Sequence, residues 1–151
     1  ISPLHFLSLK GWGFPHTSGC HLLVRCQYGY DIDPESIKIA KNNAEIAGVE
    51  KYIKFECGDA TKFVSHEEYG FLITNPPYGE RLEDQESVKL LYKELGYTLR
   101  RLKNWSYYLI TSYEDFEYEF GQDAIRKRKL YNGMLKTYYY QYPGPKPPKK
   151  A

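Results

Sequence analysis

Asn75-Pro76-Pro77-Tyr78 closes the short apolar run Phe71-Leu72-Ile73 and brings together a side-chain amide, two prolines and an aromatic ring. That combination suits methylation of a planar amine. The exocyclic amino group of a nucleobase is a poor nucleophile because its lone pair is delocalised into the ring. An enzyme must therefore hold both N–H groups and leave the lone pair clear. The Asn75 oxygen and the Pro76 carbonyl can accept those two hydrogens. Tyr78 can stack on the base and orient it toward a methyl donor, with Pro77 stiffening the turn between them. The alternative is a Pro-Pro turn that ends a strand, since proline gives no donor to a ladder.

Two aspartates fall at comparable places. Asp31 ends the run Tyr28-Gly29-Tyr30 and could accept both hydroxyls of a ribose, as an acidic residue does in nucleotide-binding sheets. Asp59, in Gly58-Asp59-Ala60, could take the amino group of an adenine. Each also reads as an ordinary turn residue.

The elements that would position these groups follow from local pattern. A strand is expected from His21 to Asp31. A helix begins at once, with Asp33 as N-cap, Pro34 at the first helical position, Ile37, Ala40, Ala44 and Ala47 as its buried stripe, and Gly48 as its stop. Ile53, Phe55 and Cys57 alternate with charged residues and predict a second strand. Phe71-Leu72-Ile73 reads as a strand covered on both faces. Val88, Leu91, Leu95, Leu99 and Leu102 recur at helical spacing between Glu86 and Lys103. Tyr107–Thr111 is a strand, and Glu114–Phe120 a short helix stopped by Gly121. Asn132-Gly133 predicts a hairpin with a type I′ turn. Strands alternating with helices give a three-layer α/β sandwich, in which ligands bind at the carboxyl ends of the strands. Asp31, Asp59 and Asn75 all map there. Residues 1–27 are expected to be irregular, 28–142 to form one domain, and 143–151 to be an extended proline- and lysine-rich tail.

The 151 residues and 42% hydrophobic content suffice for one core. No apolar run reaches the roughly 18 residues needed to span a bilayer, and three cysteines without Cys-x-x-Cys spacing suit a reducing compartment. A cytoplasmic protein with no membrane association is the expectation. His16, Cys20, His21 and Cys26 match no common zinc spacing, so no metal is expected. The net charge of +2 conceals an asymmetry: residues 124–151 hold eight Lys or Arg and no acid, while residues 1–123 hold 13 basic against 19 acidic groups, a net of −6. Arg126, Lys127, Arg128 and Lys129 are a candidate nucleic-acid footprint, and a solvated cationic face is the alternative. The chain starts at Ile1 and its only methionine is Met134, which suggests a fragment or a processed piece.

Gly29-Tyr30-Asp31-Ile32-Asp33-Pro34, Gly58-Asp59-Ala60, Thr74 to Leu82 and Lys127 to Gly133 together resemble the class I S-adenosylmethionine-dependent methyltransferases. More narrowly they resemble the bacterial 23S rRNA guanine-N2 methyltransferases, whose relatives are often labelled adenine-specific DNA methylases. The resemblance covers about residues 28–148. It implies a Rossmann-like fold and S-adenosylmethionine as cofactor, with Asp31 and Ile32 at its ribose and Asp59 and Ala60 at its adenine. It also implies 23S rRNA as partner, a target base held by Asn75, Pro76, Pro77 and Tyr78, and RNA contacts from Arg81 and residues 126–129. Adenine-N6 methylation of DNA would use the same residues, and a non-catalytic RNA-binding remnant would keep the basic hairpin and have lost cofactor binding. The family's glycine loop and the central strand before it have no counterpart here, Gly11-Trp12-Gly13 being the nearest glycine pair. The first central strand is therefore expected to be missing, and no counterpart of the family's THUMP domain is expected within these residues.

Overall fold

The structure is a computed structural model and describes residues 5–10, 27–79 and 84–148. Its strands are β1 (His5–Lys10), β2 (Gln27–Asp31), β3 (Ile53–Cys57), β4 (Gly70–Asn75), β5 (Trp105–Thr111), β6 (Arg126–Asn132) and β7 (Leu135–Tyr142). They form one sheet in the order β3-β2-β1-β4-β5-β7-β6. Helix α1 (Pro34–Ile46) follows β2, α2 (Gln85–Arg100) follows β4, and α3 (Phe116–Phe120) follows β5.

The expected gap at the centre of the sheet is closed. β1 lies between β2 and β4 and runs antiparallel to both, with Leu7 opposite Gly29 on one side and Ile73 on the other. Without it, two interior strands would each leave a row of backbone groups unpaired. Six extended residues satisfy both rows, and so residues 1–27 are not wholly irregular. The segment carrying Gly11, Gly13 and the His/Cys set lies outside the described residues.

The faces of the sheet separate by period two. Leu72 and Thr74 of β4, Leu109 and Thr111 of β5 and Tyr140 of β7 point to one side and are buried there. α2 closes that side with Val88, Tyr92, Leu95 and Leu99, and α3 adds Phe116 and Phe120. The two helices touch at Gly96, where an added Cβ would stand 2.1 Å from the Phe120 carbonyl oxygen. On the other side α1 covers β2 and β3, burying Ile37 and Ala44, whereas Ala40 is half-buried and Ala47 exposed. Asp33 caps α1 as expected, accepting from the Glu35 and Ser36 N–H groups at 3.2 Å each.

Two expectations need correction. β4 is not covered on both faces: Ile73 is 39% exposed, because both longer-range helices lie on the opposite side. There Phe71, Tyr108 and Tyr139 stack with near-parallel rings across three strands, at 6.3 and 5.8 Å between ring centroids. The hairpin turn also sits one residue later than expected. Asn132 pairs with Leu135, so Gly133 and Met134 form the loop. Gly133 has φ 61°, and among the described residues no non-glycine has positive φ, the pattern of a type II′ rather than a type I′ turn.

Candidate functional site

The strand ends bring Asp31 and Asn75 together. Asp31 is the last residue of β2 and is 2% exposed. Its Oδ1 accepts the Asp33 N–H at 2.8 Å, and its carbonyl accepts the Gly58 N–H at 2.9 Å, which ties the tip of β2 to that of β3. Asn75 ends β4, two strands away. Both residues line one cavity of about 270 Å³, together with Gly29, Ile37, Ile73 and Ile110. The cavity is lined mainly by apolar surface, with Asp31 and Asn75 joined by Ser36, Thr74 and Tyr30 as its polar residues. β1 places His5 opposite Asn75 in the ladder.

The turn after β4 is held from below. Pro76 is buried, and Pro77, Tyr78 and Gly79 are half-buried. The Tyr78 hydroxyl donates to Asn75 Oδ1 at 2.5 Å. Asn75 therefore meets a hydrogen-bond donor from its own turn at the atom expected to receive the target amine. Beneath, the Tyr92 hydroxyl donates to the Pro77 carbonyl at 2.6 Å and lies 2.8 Å from Thr111 Oγ1. Tyr92 and Thr111 were not among the candidate residues. The helical spacing Val88, Tyr92, Leu95, Leu99 could have found Tyr92 as a core position, but nothing local reveals where its hydroxyl ends.

The remaining candidates fare differently. Ile32 is 57% exposed beside Asp31 and offers an apolar surface. Asp59 does not line the cavity. Its Oδ1 accepts from the Thr61 N–H and hydroxyl at 2.9 and 2.7 Å, and Lys62 stands 3.6 Å from its Oδ2. Burial pushes this carboxyl up, but the Thr61 hydrogen bonds and Lys62 outweigh it and hold it below the usual range. Ala60 is 1% exposed and its methyl belongs to the core.

Of the basic residues, Arg81 lies outside the described residues. Lys127 faces α3, where its Nζ is 2.9 Å from Glu117 Oε2 and lies over the rings of Tyr138 and Tyr140 at 4.7 and 4.8 Å. Desolvation would lower its pKa, yet Glu117 and Tyr140 hold it above the ordinary lysine value. Lys127 thus makes an intramolecular contact with Glu117 and two tyrosine rings. Lys129 shares its face and lies over the Tyr131 ring at 5.1 Å. Arg126 and Arg128 alternate to the other face, opposite Gln141 and Tyr139 in the ladder.

Comparison with known proteins identifies the family and the fold. A family model for UPF0020, the RMKL-like methyltransferase domain, matches residues 19–141. YpsC of Bacillus subtilis (strain 168) is 45% identical over 115 residues, covering 76% of this chain and 30% of its own length. Ribosomal RNA large subunit methyltransferase K/L of Shewanella baltica (strain OS185) is 36% identical over 122 residues, covering 78% of this chain and 17% of its own. Among solved structures, a possible methylase from Clostridium difficile 630 is 76% identical with a TM-score of 0.77, covering 82% of this chain and 33% of that one. SMU.472, solved in complex with SAH, is 43% identical with a TM-score of 0.76, covering 80% of this chain and 32% of that one. The fold is thus the Rossmann-like class I methyltransferase fold. The chain spans a third or less of the length of each of these proteins.

Proposed function

We propose that this chain, which belongs to the UPF0020 family of RMKL-like methyltransferase domains, transfers a methyl group from S-adenosylmethionine to the exocyclic amine of a nucleobase in RNA, at guanine N2 of 23S rRNA. The observation that carries this reading is the single cavity that Asp31 and Asn75 share at the carboxyl ends of their strands. The residues fit the adenosine half of the cofactor. Asp31 offers its carboxylate to the ribose hydroxyls and the exposed Ile32 an apolar surface to the adenine, whereas Asp59, outside the cavity and paired with Thr61 and Lys62, would reach the adenine amine only by giving up those contacts. When bound, S-adenosylmethionine supplies an electrophilic methyl carbon on a positively charged sulfur.

The chain's own residues would prepare the nucleophile. Asn75 Oδ1 and the Pro76 carbonyl accept the two amine hydrogens, so the nitrogen pyramidalises and its lone pair is freed from the ring. Tyr78 must first give up its hydrogen bond to Asn75. Its ring, on the same turn, is then placed to stack on the base. No base is needed before transfer, because the amine becomes acidic only once it carries the fourth substituent.

The test is methyl transfer from labelled S-adenosylmethionine to a 23S rRNA transcript, with nucleoside analysis of the product. In a version completed with the family's glycine loop, N2-methylguanosine is expected, and Asn75→Ala should lower turnover far more than cofactor affinity. N6-methyladenine on DNA would overturn the base and polymer assignment. No product at saturating cofactor would favour an RNA-binding remnant without catalysis.

A further inference from the structure

We propose that Tyr92 is a positioning residue for the amine-binding turn: through the Pro77 carbonyl it sets the direction in which Tyr78 leaves the two prolines, and so the geometry between Tyr78 and Asn75. The catalytic part of this inference rests on the function proposed above. The structural part does not.

The backbone of Asn75-Pro76-Pro77-Tyr78 has little freedom of its own. Both prolines have φ fixed by their rings, and Asn75 and Pro76 each precede a proline, which confines them to extended conformations. The first soft dihedral after Asn75 is ψ of Pro77. That angle also sets where the Pro77 carbonyl points. A hydrogen bond to this carbonyl therefore controls the one soft backbone rotation between Asn75 and the Tyr78 nitrogen, and so the direction in which Tyr78 leaves the prolines. The Tyr92 hydroxyl makes that bond at 2.6 Å.

The polarity of the contact is determined. A carbonyl only accepts, so the single Tyr92 hydrogen is committed to Pro77. Thr111 must then donate its own hydroxyl hydrogen to the Tyr92 oxygen across 2.8 Å, and its Oγ1 accepts the Tyr113 N–H at 3.0 Å. The chain of bonds runs one way, from the loop after β5 to the turn after β4. Tyr92 has no solvent exposure and its hydroxyl is pushed well up by burial, so it remains a neutral donor throughout the accessible pH range. Its ring is fixed as well, edge-on to Phe116 at 5.1 Å and tilted against Tyr113 at 5.4 Å.

A second contact on the same helix face supports the assignment. Gly79 has φ +69°, and an added Cβ there would stand 3.2 Å from Val88 Cγ2. Val88 and Tyr92 are one helical turn apart, so α2 carries the turn at two points, just before Tyr78 and just after it.

The experiment uses this chain without cofactor or RNA. In wild type, the Tyr92 hydroxyl proton should give a slowly exchanging NMR signal with cross-peaks to Thr111 and to the Pro77-Tyr78 segment. In Tyr92→Phe, 15N relaxation should show the Tyr78 and Gly79 amides loosening, with order parameters falling from about 0.85 to below about 0.6. Leu95, Leu99 and Leu109 should be unchanged. If Tyr92→Phe does not fold, absence of the wild-type hydroxyl signal overturns the proposal and its presence supports it. Rigid Tyr78 and Gly79 amides in a folded variant also overturn it. In the methyl-transfer assay, run on the version completed with the glycine loop, Tyr92→Phe should lose about 10- to 100-fold in kcat with cofactor affinity unchanged. Wild-type kcat with a loosened turn would overturn the catalytic part. Loosening, with no transfer by either protein, would count against the proposed function and leave the positioning role standing.

Discussion

The four basic residues of β6 divide into two pairs with different fates. Lys127 and Lys129 point toward α3, and Arg126 and Arg128 point away from it. In the double variant Arg126→Ala/Arg128→Ala, two phosphate contacts would be lost. At roughly 0.7 to 0.9 per phosphate, the slope of log K against log salt should become shallower by about 1.4 to 1.8. Folding stability should hardly change, since both side chains are exposed on an edge strand. Lys127→Met keeps the aliphatic stem and removes the charge. It breaks the 2.9 Å pair to Glu117 and the contacts with two rings. A partly exposed ion pair of this kind is worth at most about 1 kcal/mol, and the cation–π contacts add about 0.5–1 kcal/mol. Lys127→Met should therefore lower the melting temperature by a few degrees and leave the salt slope unchanged. Filter binding or fluorescence anisotropy with an rRNA fragment between 50 and 200 mM salt reads the slope, and thermal denaturation reads the stability. An unchanged slope in the double arginine variant would refute the reasoning and assign the strand's charge to solubility. A shallower slope in Lys127→Met would show that the Glu117 pair opens to bind phosphate.

Tyr78→Phe should retain base stacking and remove the donor that occupies Asn75 Oδ1, so KM for the acceptor should fall by a few-fold, the value of one hydrogen bond of about 0.5–1.5 kcal/mol, while Tyr78→Ala should raise it; a raised KM in the phenylalanine variant would give the hydroxyl a direct role. Calorimetry should find S-adenosylmethionine bound weakly or not at all by this chain, because Asp31 and Asp59 address only its adenosine half; micromolar or tighter affinity would show that residues 1–27 supply a substitute for the glycine loop. Asp33 and Asp59 both lie below the usual carboxyl range, Asp33 through its Ser36 and Glu35 hydrogen bonds and Asp59 through those to Thr61 that outweigh its burial. A depressed folded-state pKa gives stability that is fully present above the unfolded value of about 4 and is lost as pH falls through the folded value. Melting temperature should therefore drop below pH 4, and the drop should be smaller in Asp33→Asn; an identical acid profile in that variant would remove Asp33 as a contributor.

Local chemistry was sufficient to determine part of this molecule. α1 begins where Asp33-Pro34 places its cap, and β3 spans the Ile53–Cys57 alternation without adjustment. The turn after β4 is legible because two prolines restrict it wherever it occurs. Those features depend on neighbours in sequence. What only the tertiary structure decided depends on neighbours in space. β1 carries too short a pattern to declare itself, and exists because two interior strands need partners for their backbone groups. The hairpin turn moved by one residue because the ladder between β6 and β7 selects the register, and a single positive φ at Gly133 then suffices. Lys127 and Arg128 are adjacent and chemically alike, yet the pleat sends one to Glu117 and the other to the open face. Tyr92 looks like any core aromatic in a helix, and its hydroxyl acquires meaning only where the fold brings it under the Pro77 carbonyl.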